Sequence, residues 1–208
     1  PLHYSDGILK EHIHCRSKAG LFDVSHMLGV HITGKDRIEY AEKIFPACIA
    51  ELKYGEGLLT NIPNEKGGLL DDCILTNMGD YLHIVINAGH EDIDIPHMNK
   101  YLSKFNGNVQ LIPQYNNSII ALQGPLSHSV ISRYISEDTI KNWAFMNMKH
   151  ISISNIDCII ARSGYTGEDG FEITCKNSDA EKLATLLLFN PEVNPIGLGA
   201  RDSLRLEA

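Results

Sequence analysis

Two aspartates stand side by side at Asp71-Asp72, directly after the run Asn64-Glu65-Lys66-Gly67-Gly68-Leu69-Leu70. Aspartate is disfavoured inside strands, so a doubled one leading into an apolar run needs a reason. Neighbouring residues of a strand point to opposite faces, so only one of the pair can enter a given cavity. That one is a candidate carboxylate for orienting a ligand or handling a proton. The plain alternative is that both are satisfied by amides of the preceding turn. Gly67 and Gly68 allow a tight turn or a close approach of backbone to a ligand.

Three further segments carry polar residues where the pattern expects apolar ones. Gly164-Tyr165-Thr166-Gly167-Glu168-Asp169-Gly170 has glycines at spacing three, but a phosphate-binding loop also needs a GK[ST] sequence opening a helix, and neither is present. It reads better as a connection between two strands. Beyond it Phe171, Ile173 and Cys175 alternate onto one face and Glu172 and Thr174 onto the other, so Glu172 faces either water or a cavity. In Gly197-Leu198-Gly199-Ala200-Arg201, the arginine lies near a helix start, against the dipole preference for cations at the other end. Arg201 is therefore either holding an anion or solvated. Asp23, Ser25 and His26 do not make a hydrolase triad, because Ser25 and His26 are adjacent and point apart, with no nucleophile elbow around them. The ten histidines are dispersed, and His90 and His97 fit no recognised metal motif.

The elements that must position these residues follow from periodicity. Residues 21–33 have extended character, and 36–45 reads as a helix with Ile38, Ala41 and Ile44 on one face. Strands are expected over 57–62, 68–76 and 81–87, then a helix over 92–105 and a strand over 109–112. This arrangement points to a ferredoxin-like split βαβ unit. Further on, strands are expected at 118–122, 148–154, 157–163 and 170–175, with helices from Gly124-Pro125 to 135 and over 178–188. The class is α+β: a ferredoxin-like domain over 22–115, and a discontinuous antiparallel α+β domain made of 1–21 and 116–208.

Composition bounds the function. The 208 residues are 43% hydrophobic and 21% charged, the proportions of an ordinary globular protein with a sizeable core. A net charge of −8 argues against a nucleic-acid partner, which wants a basic surface, and against an anionic membrane surface. The five cysteines are scattered, with no CxxC, so neither disulfides nor a cysteine metal site is expected. Pro1 at the start and a helical pattern running out at Leu204-Arg205-Leu206-Glu207-Ala208 suggest a piece of a longer chain.

Taken together, LFDVSHM at 21–27, NEKGGLLDD at 64–72, VINAG at 85–89, ALQGP at 121–125, RSGYTGEDGFEI at 162–173 and GLGARDSLRLEA at 197–208 closely resemble the aminomethyltransferase family, the T-proteins of the glycine cleavage system. The resemblance spans essentially the whole chain. It implies transfer of a methylene carbon from the aminomethyl-lipoyl arm of H-protein to tetrahydrofolate, with release of ammonia and formation of 5,10-methylene-tetrahydrofolate. It implies that Asp72, rather than Asp71, is the catalytic acidic residue that orients and activates the folate nitrogen. Glu172 matches the acceptor of the pterin N–H groups, and Arg201 matches a residue at the folate site. Asn87, Met27 and Tyr165 match positions near the cofactor. No metal is implied, and the folate of such proteins lies in a central cavity. Family members begin ahead of the position of Pro1 and continue past that of Ala208 into a C-terminal β-barrel domain. A eukaryotic member works in the mitochondrial matrix and a bacterial one in the cytoplasm. Two other readings share the scaffold: a folate-binding relative without turnover, disfavoured by the presence of Asp72, and the folate-using tail of a dimethylglycine- or sarcosine-oxidising enzyme.

Overall fold

The computed structural model describes residues 1–208. In chain order the elements are α1 (Ile8–Ser17), β1 (Ala19–Asp23), β2 (Leu28–Thr33), α2 (Arg37–Ala41), β3 (Gly57–Pro63), β4 (Leu69–Asn77), β5 (Tyr81–Ile86), α3 (Glu91–Leu102) and β6 (Gln110–Pro113). There follow β7 (Asn117–Gln123), α4 (Ser127–Ile131), α5 (Glu137–Lys141), β8 (Met148–Ile153), β9 (Ile156–Ala161), β10 (Gly170–Lys176), α6 (Asn177–Leu188), β11 (Val193–Pro195) and α7 (Leu198–Glu207). These make two sheets with their helices, an α+β protein. No helix is long and apolar enough to cross a membrane. Two compact units result, one of Pro1–Ser25 with Asn116–Ala208 and one of His26–Tyr115.

The unit of residues 26–115 is built on a five-stranded sheet in the order β3-β4-β5-β2-β6, antiparallel at every pairing. Alternation sends Val30 and Ile32 of β2, Cys73 and Leu75 of β4, and Leu82, Ile84 and Ile86 of β5 into one core. Tyr40 and Ala41 of α2 and Met98 of α3 cover that face, and the Tyr40 hydroxyl donates to the Met98 carbonyl at 2.7 Å. Each such large side chain contributes about 1.5–3 kcal/mol on burial. The sheet carries one strand more than the split βαβ order. The meander β3-β4-β5 has three strands between the two helices, so β2 and β5 meet antiparallel where a split βαβ would set a parallel pair. The helix expected over 36–45 ends at Ala41, and the chain continues in turns to Phe45, which precedes Pro46 and so disfavours helical backbone.

The other unit holds a six-stranded sheet in the order β11-β1-β7-β10-β9-β8. All its pairings are antiparallel except the edge pair β1·β11, where Ala19 stands beside Val193. Its core joins Leu21, Leu122, Phe171 and Ile173 of the sheet to Trp143 and to Leu183 and Leu187 of α6. The extended stretch expected over 21–33 is broken. Leu21 to Asp23 pair with β7, whereas Leu28 to Thr33 pair with β5 in the other sheet, so residues 22–25 belong to the six-stranded unit. Helix α1 has no counterpart in the periodicity, because it buries only Glu11 and Cys15 and shows no apolar stripe.

Candidate functional site

The turn before the two aspartates accounts for the glycines. Asn64 N–H donates to the Gly68 carbonyl at 2.7 Å, and the Asn64 side chain accepts from the amides of Lys66 and Gly68 at 2.9 and 3.0 Å. Gly67 takes a φ of +77°, which favours glycine. The tight turn is therefore the reason for the doubled glycine, and Asn64 rather than either aspartate takes the turn amides. A register shift between Ile62 and Pro63, opposite the start of β4, makes a bulge just ahead of Asp71. Bulges of this kind re-aim the side chains beside them.

From there the pair divides by parity. Asp71 shares the face of Cys73 and Leu75, which lie in the core, and Asp72 takes the opposite one. Both are held from the end of β5. Asn87 follows that strand immediately, and its Nδ2 donates to Asp72 Oδ1 at 2.9 Å, to the Asp72 carbonyl at 3.1 Å and to Asp71 Oδ1 at 3.0 Å. An amide has two N–H bonds, so three acceptors share them and the side chain is fixed across the strand end. The structure thus joins Asp72 and Asn87 in one cluster. Met27 is half-buried on the bend that leads into β2, just ahead of Leu28, which pairs with Ile86 beside Asn87.

In the six-stranded unit a second group forms around Glu172. Its strand sends Phe171, Ile173 and Cys175 into the core and leaves Glu172 half-buried on the other face. The Ser163 hydroxyl donates to Glu172 Oε2 at 2.8 Å. Arg201, one turn into α7, stacks its guanidinium 5.2 Å from the centre of the Tyr165 ring. Burial pushes the Arg201 pKa down, and the charge of Glu172 and then Tyr165 work against that shift. Its Nη1 is buried with no hydrogen-bond partner in the protein. Arg201 is half-buried rather than fully solvated, and the charge of Glu172 reaches it without a direct ion pair. Glu172, Arg201 and Tyr165 are therefore one electrostatic group, whose carboxylate and cation can recognise paired polar atoms of a planar ligand.

The loop that carries Tyr165 is braced by a residue with no signal of its own in the sequence. Gln123, fully buried at the end of β7, donates from Nε2 to the Ser163 carbonyl at 2.8 Å and accepts from the Thr166 hydroxyl at 2.9 Å. A Cβ on Gly164 or Gly170 would overlap its carboxamide, which explains two of the three evenly spaced glycines. Arg162 closes the loop with a two-pronged ion pair to Asp169 at 2.9 and 2.8 Å. Asp94 is the other residue that periodicity passes over. It lies on the buried stripe of α3 with Met98, and a carboxylate at i with an apolar core residue at i+4 is the signal that could have found it.

Each unit of this α+β scaffold thus carries a polar group of its own: an aspartate held by an amide in one, and a carboxylate with a nearby guanidinium in the other. The chain belongs to the GCVT N-terminal domain family, whose model matches residues 1–208. It is 43% identical to the mitochondrial aminomethyltransferase of Dictyostelium discoideum, over the whole of this chain and 54% of that protein. It is 41% identical to the mitochondrial aminomethyltransferase of Mus musculus, again over the whole chain and 52% of that protein. The crystal structure of the glycine cleavage system aminomethyltransferase T from Bartonella henselae superposes with a TM-score of 0.90 at 39% identity, over 100% of this chain and 56% of that one. The chain spans about half the length of the curated relatives it matches.

Proposed function

We propose that this chain is the tetrahydrofolate-using part of an aminomethyltransferase of the glycine cleavage system. The observation that carries the reading is the Asn87 clamp on Asp72, which holds a carboxylate in one orientation at the end of a sheet. In the reaction, the aminomethyl carbon on the lipoyl sulfur of H-protein loses its bonds to nitrogen and sulfur. It gains bonds to N5 and N10 of tetrahydrofolate. The two protons leaving those nitrogens are balanced by those gained by ammonia and by the freed thiol. Asp72 orients the attacking folate nitrogen and stabilises the positive charge that grows on it, and a carboxylate in that role contributes about 10²–10⁴-fold. Glu172 accepts from the pterin N–H groups, while Arg201, with Tyr165 against it, offsets the carboxylate charge. Asn87 and Met27 border the folate. The reading uses no metal and no nucleic acid, and the partner is lipoylated H-protein. In a eukaryote the place of work is the mitochondrial matrix, in a bacterium the cytoplasm.

The test uses the full-length protein. Ammonia release from aminomethylated H-protein should require tetrahydrofolate, and Asp72→Asn should lower kcat by about 10²–10⁴-fold. Ammonia release that ignores tetrahydrofolate, or an Asp72→Asn variant with ordinary turnover, would sink the proposal. Folate binding without turnover in the unaltered protein would identify a binding relative instead.

A further inference from the structure

Beside the Asn87 clamp lies a buried acid pair that the proposed chemistry does not use. Asp94, on α3, is completely buried, and neither of its carboxylate oxygens has a hydrogen-bond partner. One ligand-type atom each of Asp71, His90 and Asp94 lie within 4.8 Å of one another. Asp71 Oδ2 and His90 Nδ1 are also buried without a hydrogen bond, 3.6 Å apart. As ionised groups, Asp71 and Asp94 would be two acceptors facing each other, and the nearest potential donor, His90 Nδ1, stands 3.6 Å from Asp71 Oδ2, beyond hydrogen-bond reach. Each unsatisfied buried polar atom costs about 1–3 kcal/mol, and two like charges this close disfavour each other's ionisation. A single proton removes both penalties: Asp94 becomes neutral, and its O–H supplies the donor that Asp71 lacks. Asp71 Oδ1 remains the acceptor for Asn87 at 3.0 Å.

We propose that Asp94, protonated toward Asp71, is a positioning residue that fixes the Asn87 amide and, through it, the orientation of Asp72. Asp94 touches no reacting atom; it acts along the chain Asp94, Asp71, Asn87, Asp72. The functional half of this inference rests on the reading of Asp72 given above, and the structural half does not.

The groups that face Asp94 are Asp71 and Cys73 from β4, with Asp72 on the same strand, and His90 from the head of its own helix. Burial first, and Asp71 second, push the Asp94 carboxyl up to about 7, while His90 opposes the shift. As pH rises through that region the proton leaves, Asp71 meets a second charge, and the acceptor that anchors one N–H of Asn87 is disturbed.

The experiment follows the side-chain NH2 resonances of Asn87 in the full-length protein by nitrogen NMR across pH, assigned by their loss in Asn87→Asp. They should shift with a midpoint near 7, and the shift should vanish in Asp94→Asn, whose amide offers Asp71 a donor at every pH. In turnover, Asp94→Asn should lose the pH limb near 7, whereas Asp94→Ala should lose about tenfold or more in kcat, the scale of a slightly misplaced catalytic group. Asn87 resonances that stay still across that range, or that titrate identically in Asp94→Asn, overturn the inference. So does a titration that disappears in chelator, which would place a cation among these side chains. If Asp94→Asn does not fold, the carboxyl carbon shift of Asp94 in the unaltered protein decides the matter, and an ionised signal at pH about 5.5 overturns the proposal. A protein that shows the titration but releases no ammonia would overturn the functional reading and leave the acid pair standing.

Discussion

Gln123 shows how a residue can shape a site without any chemistry of its own. It is uncharged, it sits among apolar neighbours in Ile119-Ile120-Ala121-Leu122, and its carboxamide fills the space left by two glycines. Gly164→Ala should therefore destabilise the protein by about 1–3 kcal/mol through overpacking, read as a lower urea midpoint with an unchanged m-value. At Glu172, the hydrogen bond from Ser163 leaves further lone pairs free for a ligand. Glu172→Gln should weaken tetrahydrofolate binding by about 1.5–3 kcal/mol, the range of a hydrogen bond to a charged group. It should appear as a rise in KM for tetrahydrofolate with a smaller change in kcat, and an equal fall in kcat would argue against a binding role. Asp94 also makes a stability prediction. Its folded value of about 7 lies above the ordinary 3.8, so the folded protein holds a proton that the unfolded chain has released. The stability this group contributes is complete below about pH 4 and is lost as pH rises toward 7. Asp94→Asn should flatten that part of the urea-midpoint profile. Parity separated Asp71 from Asp72 in the sequence, but nothing in the spacing tells that Asn87 bonds both, because it lies fifteen residues from Asp72.

At the scale of elements, helix α1 is the piece that periodicity does not announce and that polar contacts explain. Glu11, buried on α1, accepts the Tyr4 amide at 2.5 Å and the Gly197 amide at 2.7 Å. The second bond sets the start of α7, the helix that carries Arg201. Further along, Arg16 bonds Glu168 at 2.9 Å and Glu207 at 3.0 Å, tying α1 both to the Tyr165 loop and to the end of α7. Glu11→Ala leaves the buried Gly197 amide without its acceptor and should cost about 1–3 kcal/mol. Hydrogen exchange at the Gly197 amide should rise in that variant; unchanged protection there would remove Glu11 from this role. Most strands were legible as elements because alternation survives in a sheet with one buried face, as in Cys73 and Leu75 or Phe171 and Ile173. Strand β11 was not, being three residues long and stabilised by its parallel neighbour rather than by any pattern.

On the scale of the whole molecule, each unit has its own core. Leu75 is fully buried in that of the five-stranded unit, and Leu122 in that of the six-stranded one. Leu75→Ala or Leu122→Ala should cost about 2–5 kcal/mol, and faster hydrogen exchange should begin in the strands flanking the altered residue. The α+β class, the alternation that directs Glu172 away from the core, and the blocks that mark the family were all present in the sequence, because they depend on local periodicity and on short runs of residues. Which sheet each half of residues 21–33 joins was not, because strand partners are chosen by long-range pairing and the stretch reads as extended throughout. The same holds for the reasons behind the aspartates and glycines. Two adjacent carboxylates were visible from the start, but a buried third one, placed against Asp71 by a helix twenty residues later, is a fact of packing. Only folding brings Asp94 to Asp71 and Gln123 to Gly164, since contacts between distant segments leave no period in the chain.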